Sequence, residues 1–119
     1  MQRLQSLVLA ICVGVLAAMS TSADAGERLT RDEVVETFID TPWHSKWGAF
    51  LFRSDGTYSY FEFKLNKERG TWNYRLKPDG ALSGASTDYI FLRRKNGSYY
   101  YFHTRSRRYF DAFPNRTYP

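Results

Sequence analysis

The 119-residue chain carries 17 Lys and Arg against 12 Asp and Glu, a net charge of +5, with 18% aromatic residues and one cysteine. This length leaves room for one small domain with a modest core, and one cysteine excludes an intrachain disulfide framework and zinc sites built on paired cysteines. A basic excess of this kind points to an anionic partner, although charged edge strands that discourage sheet-to-sheet aggregation produce the same composition.

Residues 1–25 read as a secretory signal, with Arg3 in a short basic start, an apolar run from Leu7 to Met19 and Ala23-Asp24-Ala25 as a small-residue cleavage site. The run of 13 residues falls short of the roughly 20 that span a bilayer, so no transmembrane segment is expected in the mature chain. Cys12 follows Ile11 inside that run, a context that does not suit lipidation. The expected product is a periplasmic or secreted, cysteine-free domain over 26–119, held by packing alone.

Thr30-Arg31-Asp32-Glu33 has the form of a capping box, and Leu29 and Val34 stand where a hydrophobic staple would. A short amphipathic helix over about 30–40 is predicted, with Val35, Phe38 and Ile39 as its apolar stripe and Pro42 enforcing its end. Beyond Pro42, turn signals at Ser54-Asp55-Gly56-Thr57, Asn66 to Gly70, Pro78-Asp79-Gly80 and Asn96-Gly97 recur too closely for helical crossovers. They separate Trp43 to Arg53, Thr57 to Leu65, Thr71 to Lys77, Ala81 to Ala85, Tyr89 to Lys95, Ser98 to Thr104 and Arg107 to Phe113. Such short connections require antiparallel neighbours. The predicted fold is mainly β: a six- to seven-stranded antiparallel meander forming a small closed or partly closed barrel, with one N-terminal helix.

Alternation assigns faces. Trp72, Tyr74 and Leu76 point inward, and Thr71, Asn73, Arg75 and Lys77 outward. In the first hairpin the expected core is Phe50, Phe52, Phe61, Phe63 and Leu65, with Trp47, Leu51, Arg53, Tyr58, Tyr60 and Lys64 on the second face. Two-residue turns at Asp55-Gly56 and Asn96-Gly97 would set Arg53 opposite Tyr58, Trp47 opposite Lys64, Arg94 opposite Tyr99 and Arg93 opposite Tyr100. A bulged turn would shift all four pairs.

The charge is uneven. From Gly26 to Thr87 nine basic residues balance nine acidic ones, whereas from Asp88 onward seven basic residues face only Asp88 and Asp111. Arg105, Arg107 and Arg108 fall within four residues, among tyrosines suited to stack on flat faces. Guanidinium forks suit carboxylate and phosphate, so Arg94, Tyr99, Tyr101, Arg105, Arg107, Arg108 and Tyr109 are the candidate ligand-binding residues.

The order of a secretory signal, the Leu29 to Glu33 helix start, Asp55-Gly56-Thr57-Tyr58, Gly70-Thr71-Trp72 and Asp79-Gly80 resembles small proteobacterial envelope proteins of unknown function, without the later cysteines such proteins often carry. A fainter similarity is to lipocalin-like barrels, from which the chain departs because its Gly-x-Trp falls on the third strand instead of the first. Neither resemblance implies a reaction.

Chemistry-bearing constellations are sparse. His44 and His103 are the only histidines; no cofactor or metal is expected. His103 with Ser98 or Ser106 and Asp111 makes a triad on paper, without a nucleophile elbow, and Glu62, Asp88 and Asp111 offer carboxylates whose convergence a sequence does not reveal. Nucleic acid suits the basic aromatic stretch physically but not an exported address. The leading reading is therefore a non-catalytic envelope domain holding an anionic polymer, such as an acidic glycan or lipopolysaccharide phosphates, or an acidic protein. The alternative is a small carrier of an apolar ligand inside the barrel, ranked lower because large rings should fill the interior; an unfilled apolar pocket would reverse that order. A hydrolase comes third.

Overall fold

The computed structural model describes residues 26–115; the expected signal segment lies outside the described residues. One helix and ten strands follow in the order β1 (Glu27–Arg28), α1 (Arg31–Phe38), β2 (Trp43–His44), β3 (Gly48–Phe52), β4 (Thr57–Glu62), β5 (Lys67–Asn73), β6 (Arg75–Leu76), β7 (Leu82–Ser83), β8 (Asp88–Arg93), β9 (Tyr99–His103) and β10 (Arg108–Pro114). The count exceeds six or seven because two predicted strands are broken, at Ser45-Lys46-Trp47 and at Tyr74, and because Glu27–Arg28 adds a short edge to β8.

The sheet runs β5-β4-β3-β2-β10-β9-β8-β7-β6, with every pairing antiparallel. Its two ends, β5 and β6, are consecutive in the chain and separated only by Tyr74, so the sheet curls into a nearly closed barrel. α1 caps one end. The Thr30 hydroxyl accepts from the Glu33 amide and the Glu33 carboxylate from the Thr30 amide, completing the capping box. Val34 and Phe38 are fully buried, whereas Val35, expected in the apolar stripe, is 40% exposed. Phe38 stacks on Phe91 at 4.1 Å and meets Trp43 and Tyr99 edge-on, an aromatic seal that no disulfide needs to reinforce.

One turn device occurs three times. Arg53, Lys77 and Arg94 each donate their amide to the carbonyl four residues on, and each accepts from the amide of Gly56, Gly80 or Gly97. The glycines have φ of 91, 94 and 90°, and Asp55, Asp79 and Asn96 side chains receive the amides of Thr57, Ala81 and Ser98. These are three-residue bulged loops, not two-residue turns.

The extra residue shifts the register by one. Arg53 faces Thr57, not Tyr58, and Arg94 faces Ser98, with Arg93 opposite Tyr99. Trp47 accepts from the Phe63 amide instead of facing Lys64. Since side chains alternate with period two, the faces of β4 invert: Tyr58 and Tyr60 lie opposite Phe52 and Phe50 and pack into the core, while Leu65, expected inside, is 53% exposed. The inward set on β5 and β6, Trp72, Tyr74 and Leu76, is as the alternation predicts.

Candidate functional site

The end of the barrel opposite α1 is an open cup of about 420 Å³. Its walls are rings: Phe50 from β3, Tyr58 and Tyr60 from β4, Trp72 from β5, Tyr89 from β8, Tyr101 from β9 and Phe110 from β10. The rim is Trp47 and Ser45 on one connection, Ala85 and Ser86 on another, and His103 with Ser106 at the β9–β10 turn. Gly48 lies so close to the Tyr60 ring and the Phe61 carbonyl that a Cβ there would collide with both, so glycine lets the Tyr60 ring lie over the backbone.

Among the described residues, no Lys, Arg, Asp or Glu lines the cup; its polar character comes from hydroxyls and the His103 imidazole. Burial pushes the Tyr101 phenol up to about 12, against the opposing hydrogen bond with buried Ser45. Burial, followed by its phenolic neighbours Tyr58, Tyr101 and Tyr60, raises Tyr89 further. Burial raises Tyr60 as well, so Tyr60, Tyr89 and Tyr101 stay protonated near neutrality and present neutral hydrogen-bonding groups. Burial, then the Arg105 charge, lowers His103 below the ordinary histidine value. Its Nδ1 lies 2.8 Å from Ser106 Oγ and also accepts the Ser106 amide at 3.2 Å, which leaves the proton of the neutral ring on Nε2.

This His–Ser contact is a turn contact within three residues, and Asp111 does not extend it. Asp111 pairs with Arg94 at 2.7 Å, so the three residues do not assemble into a triad. Among the described residues, no group of three His, Cys, Asp or Glu is arranged to hold a metal ion, and no helix is long and apolar enough to cross a membrane.

The candidate residues taken from the sequence are divided by the barrel wall. Tyr101 is 2% exposed in the core, and Tyr99 packs edge-on against Phe38; neither belongs to an outer surface, because both share the inward face of β9. Arg105 and Arg107 are exposed in the turn between β9 and β10. Arg94, Arg108 and Tyr109 do come together, lining an outer groove of about 330 Å³ with Asp111, Phe113, Lys46, Trp47 and Phe110. There Arg94 lies over the Tyr100 ring at 4.3 Å, and Lys46 over Trp47 at 5.1 Å.

Comparison with known protein families, curated proteins and solved structures finds no match. Function has to be read from the cup and the groove themselves.

The cup residues Tyr58 and Tyr60 escaped the sequence reading through the register shift. The signal that finds them is Ser-Asp-Gly-Thr read as a three-residue loop, with the Asp side chain capping the Thr amide. Lys46 and Trp47 lie in the connection between β2 and β3, where the sequence pattern predicts a continuous strand from Trp43 to Arg53.

Proposed function

We propose that the chain is an exported, non-catalytic binding domain whose barrel mouth holds an uncharged, ring-shaped ligand. The observation that carries this reading is the open cup with aromatic walls and, among the described residues, no Lys, Arg, Asp or Glu in its lining. Its volume lies within the range of small-molecule sites, which are mostly apolar with a few placed polar groups. Flat rings stack on ligand faces while the neutral hydroxyls of Tyr58, Tyr60 and Ser106 hydrogen-bond its edge. A ligand charge placed in these walls would lose hydration with no opposite charge to compensate, so the binding part of the ligand is neutral. This ranks the interior carrier above the purely anionic surface.

The test is fluorescence enhancement of the neutral probe N-phenyl-1-naphthylamine on the purified chain. Enhancement is expected, with Trp72→Ala and the rim substitution Ser86→Tyr each weakening it at unchanged far-ultraviolet circular dichroism. A probe that gains no fluorescence, or binds both folded variants as well as the parent, sinks the reading.

A further inference from the structure

The cup and the outer groove are two cavities with a shared wall: Trp47 and Phe110 line both. The reason is in the strand pairing. β2 is two residues long and pairs with β10 only at Phe113 and Pro114. Among the described residues, Arg108 to Asp111 thus have β9 on one side and no strand on the other. The barrel wall has a slot there, and the Ser45-Lys46-Trp47 connection runs where a strand would otherwise continue.

The two sides of the slot differ in charge. Among the described residues, the cup has no Lys, Arg, Asp or Glu, whereas the groove presents Lys46, Arg94 and Arg108 against Asp111 alone. Asp111 is engaged by Arg94; among the described residues Arg108 and Lys46 form no ion pair. Trp47, 47% exposed, stands between the two environments.

Resting on the cup reading, we infer that cup and groove are two subsites of one elongated acidic saccharide. A neutral ring stacks in the cup, the chain crosses the Trp47–Phe110 ridge, and a carboxylate or other anionic substituent is held by Arg108 and Lys46. A saccharide fits both halves because its rings join apolar C–H faces to hydroxylated edges, while its acidic substituents lie one ring apart from neutral positions. An apolar chain without an anionic end has no group for the arginine fork, and one with a carboxylate lacks the hydroxylated edges that the hydroxyls of the cup can meet. Charge-assisted hydrogen bonds at the groove add affinity that a neutral ligand of the same skeleton does not obtain.

The experiment compares tetragalacturonic acid with its fully methyl-esterified, neutral counterpart on the purified full chain by isothermal titration. The acid should bind about tenfold or more tightly than the ester at low salt, the scale of one charge-assisted hydrogen bond. The advantage should vanish toward about 1 M salt, where screening acts within about 3 Å. Lys46→Gln with Arg108→Gln should bring the acid down to the affinity of the ester and leave the ester unchanged. Trp47→Ala, at a ridge position 47% exposed, should weaken both at unchanged far-ultraviolet circular dichroism.

Equal binding of acid and ester, or a Lys46/Arg108 variant that still prefers the acid, overturns the two-subsite inference while a cup that binds the ester stands. Acid binding that ignores Ser86→Tyr and Trp72→Ala overturns the link to the cup. Failure of both saccharides to bind overturns the saccharide assignment, and the neutral-probe measurement then decides separately whether the cup binds at all.

Discussion

The Ala85 backbone amide donates to the Tyr58 phenolic oxygen over 3.0 Å, tying the rim of the cup to its floor across 27 residues of chain. Gly84 makes the approach feasible, since a Cβ there would stand 2.7 Å from the same oxygen. Tyr58→Phe removes the acceptor and keeps the ring, and is expected to cost about 1 kcal/mol, the net worth of an ordinary hydrogen bond. Gly84→Ala should displace the phenol and weaken probe binding more than Tyr58→Phe does. Urea unfolding and the probe titration, run on both variants, check the two statements; a Tyr58→Phe chain as stable as the parent would show that the tie contributes nothing.

At the other end of the barrel, Glu33 closes the capping box and also pairs with Arg93 of β8 at 3.1 Å. Its carboxyl is held below its ordinary value of 4.5, first by the Thr30 amide and then by Arg93. A depressed acid contributes stability that is present above the ordinary value and is lost as pH falls through the lower, folded one. The stability gap between the parent and Glu33→Gln should therefore narrow below about pH 4.5, measured by denaturant unfolding across that range. Thr30→Ala should cost about 1 kcal/mol at neutral pH, as loss of an N-cap does. A gap that stays constant into acid would mean that the charge of Glu33 has no part in holding the helix.

The architecture was legible where local chemistry alone decides it. The Thr30–Glu33 box, the stop before Pro42 and the alternation of Trp72, Tyr74 and Leu76 need no distant partner. The candidate site was less legible, because one uncounted residue in a loop turns Tyr58 and Tyr60 from surface into cup. Tyr99 and Tyr101 stand with the arginines among the expected surface residues for a related reason: composition marks a strand as unusual without saying which of its faces is wet. The close approach of Tyr60 to a glycine at 48 and the slot left by a β2 too short to pair all of β10 carry no sequence signature until the pairing is known.

His103 offers a check on the charge state of the rim. Burial, more than the Arg105 charge, lowers its pKa from 6.5. For a base depressed in the folded state, the stabilisation is complete above the ordinary value and is lost as pH falls below it through the folded value. The ring should titrate below 6.5 in a nuclear magnetic resonance titration, and Arg105→Gln should recover only the smaller part of the shift. A midpoint at or above 6.5 would put the ring in water instead of at the cup wall.

The arginines divide into those that line the groove and those that occupy the turn, and Arg107 separates the two roles. It holds a φ of 59°, a left-handed conformation that costs an L side chain roughly 1–2 kcal/mol, and its amide closes the turn onto the His103 carbonyl at 2.8 Å. Arg107→Gly relieves that strain and keeps the backbone bond, offset by about 0.5–1 kcal/mol of added unfolded-chain freedom, so stability should hold or rise slightly. Arg107 does not line the groove, whereas Arg108 does. Arg107→Gly should therefore change tetragalacturonic acid affinity by no more than about twofold, the reach of a screened surface charge, while Arg108→Gln alone should lose several-fold. If Arg107→Gly weakens the acid as much as Arg108→Gln, the anion sits over the turn, and the groove is not its subsite.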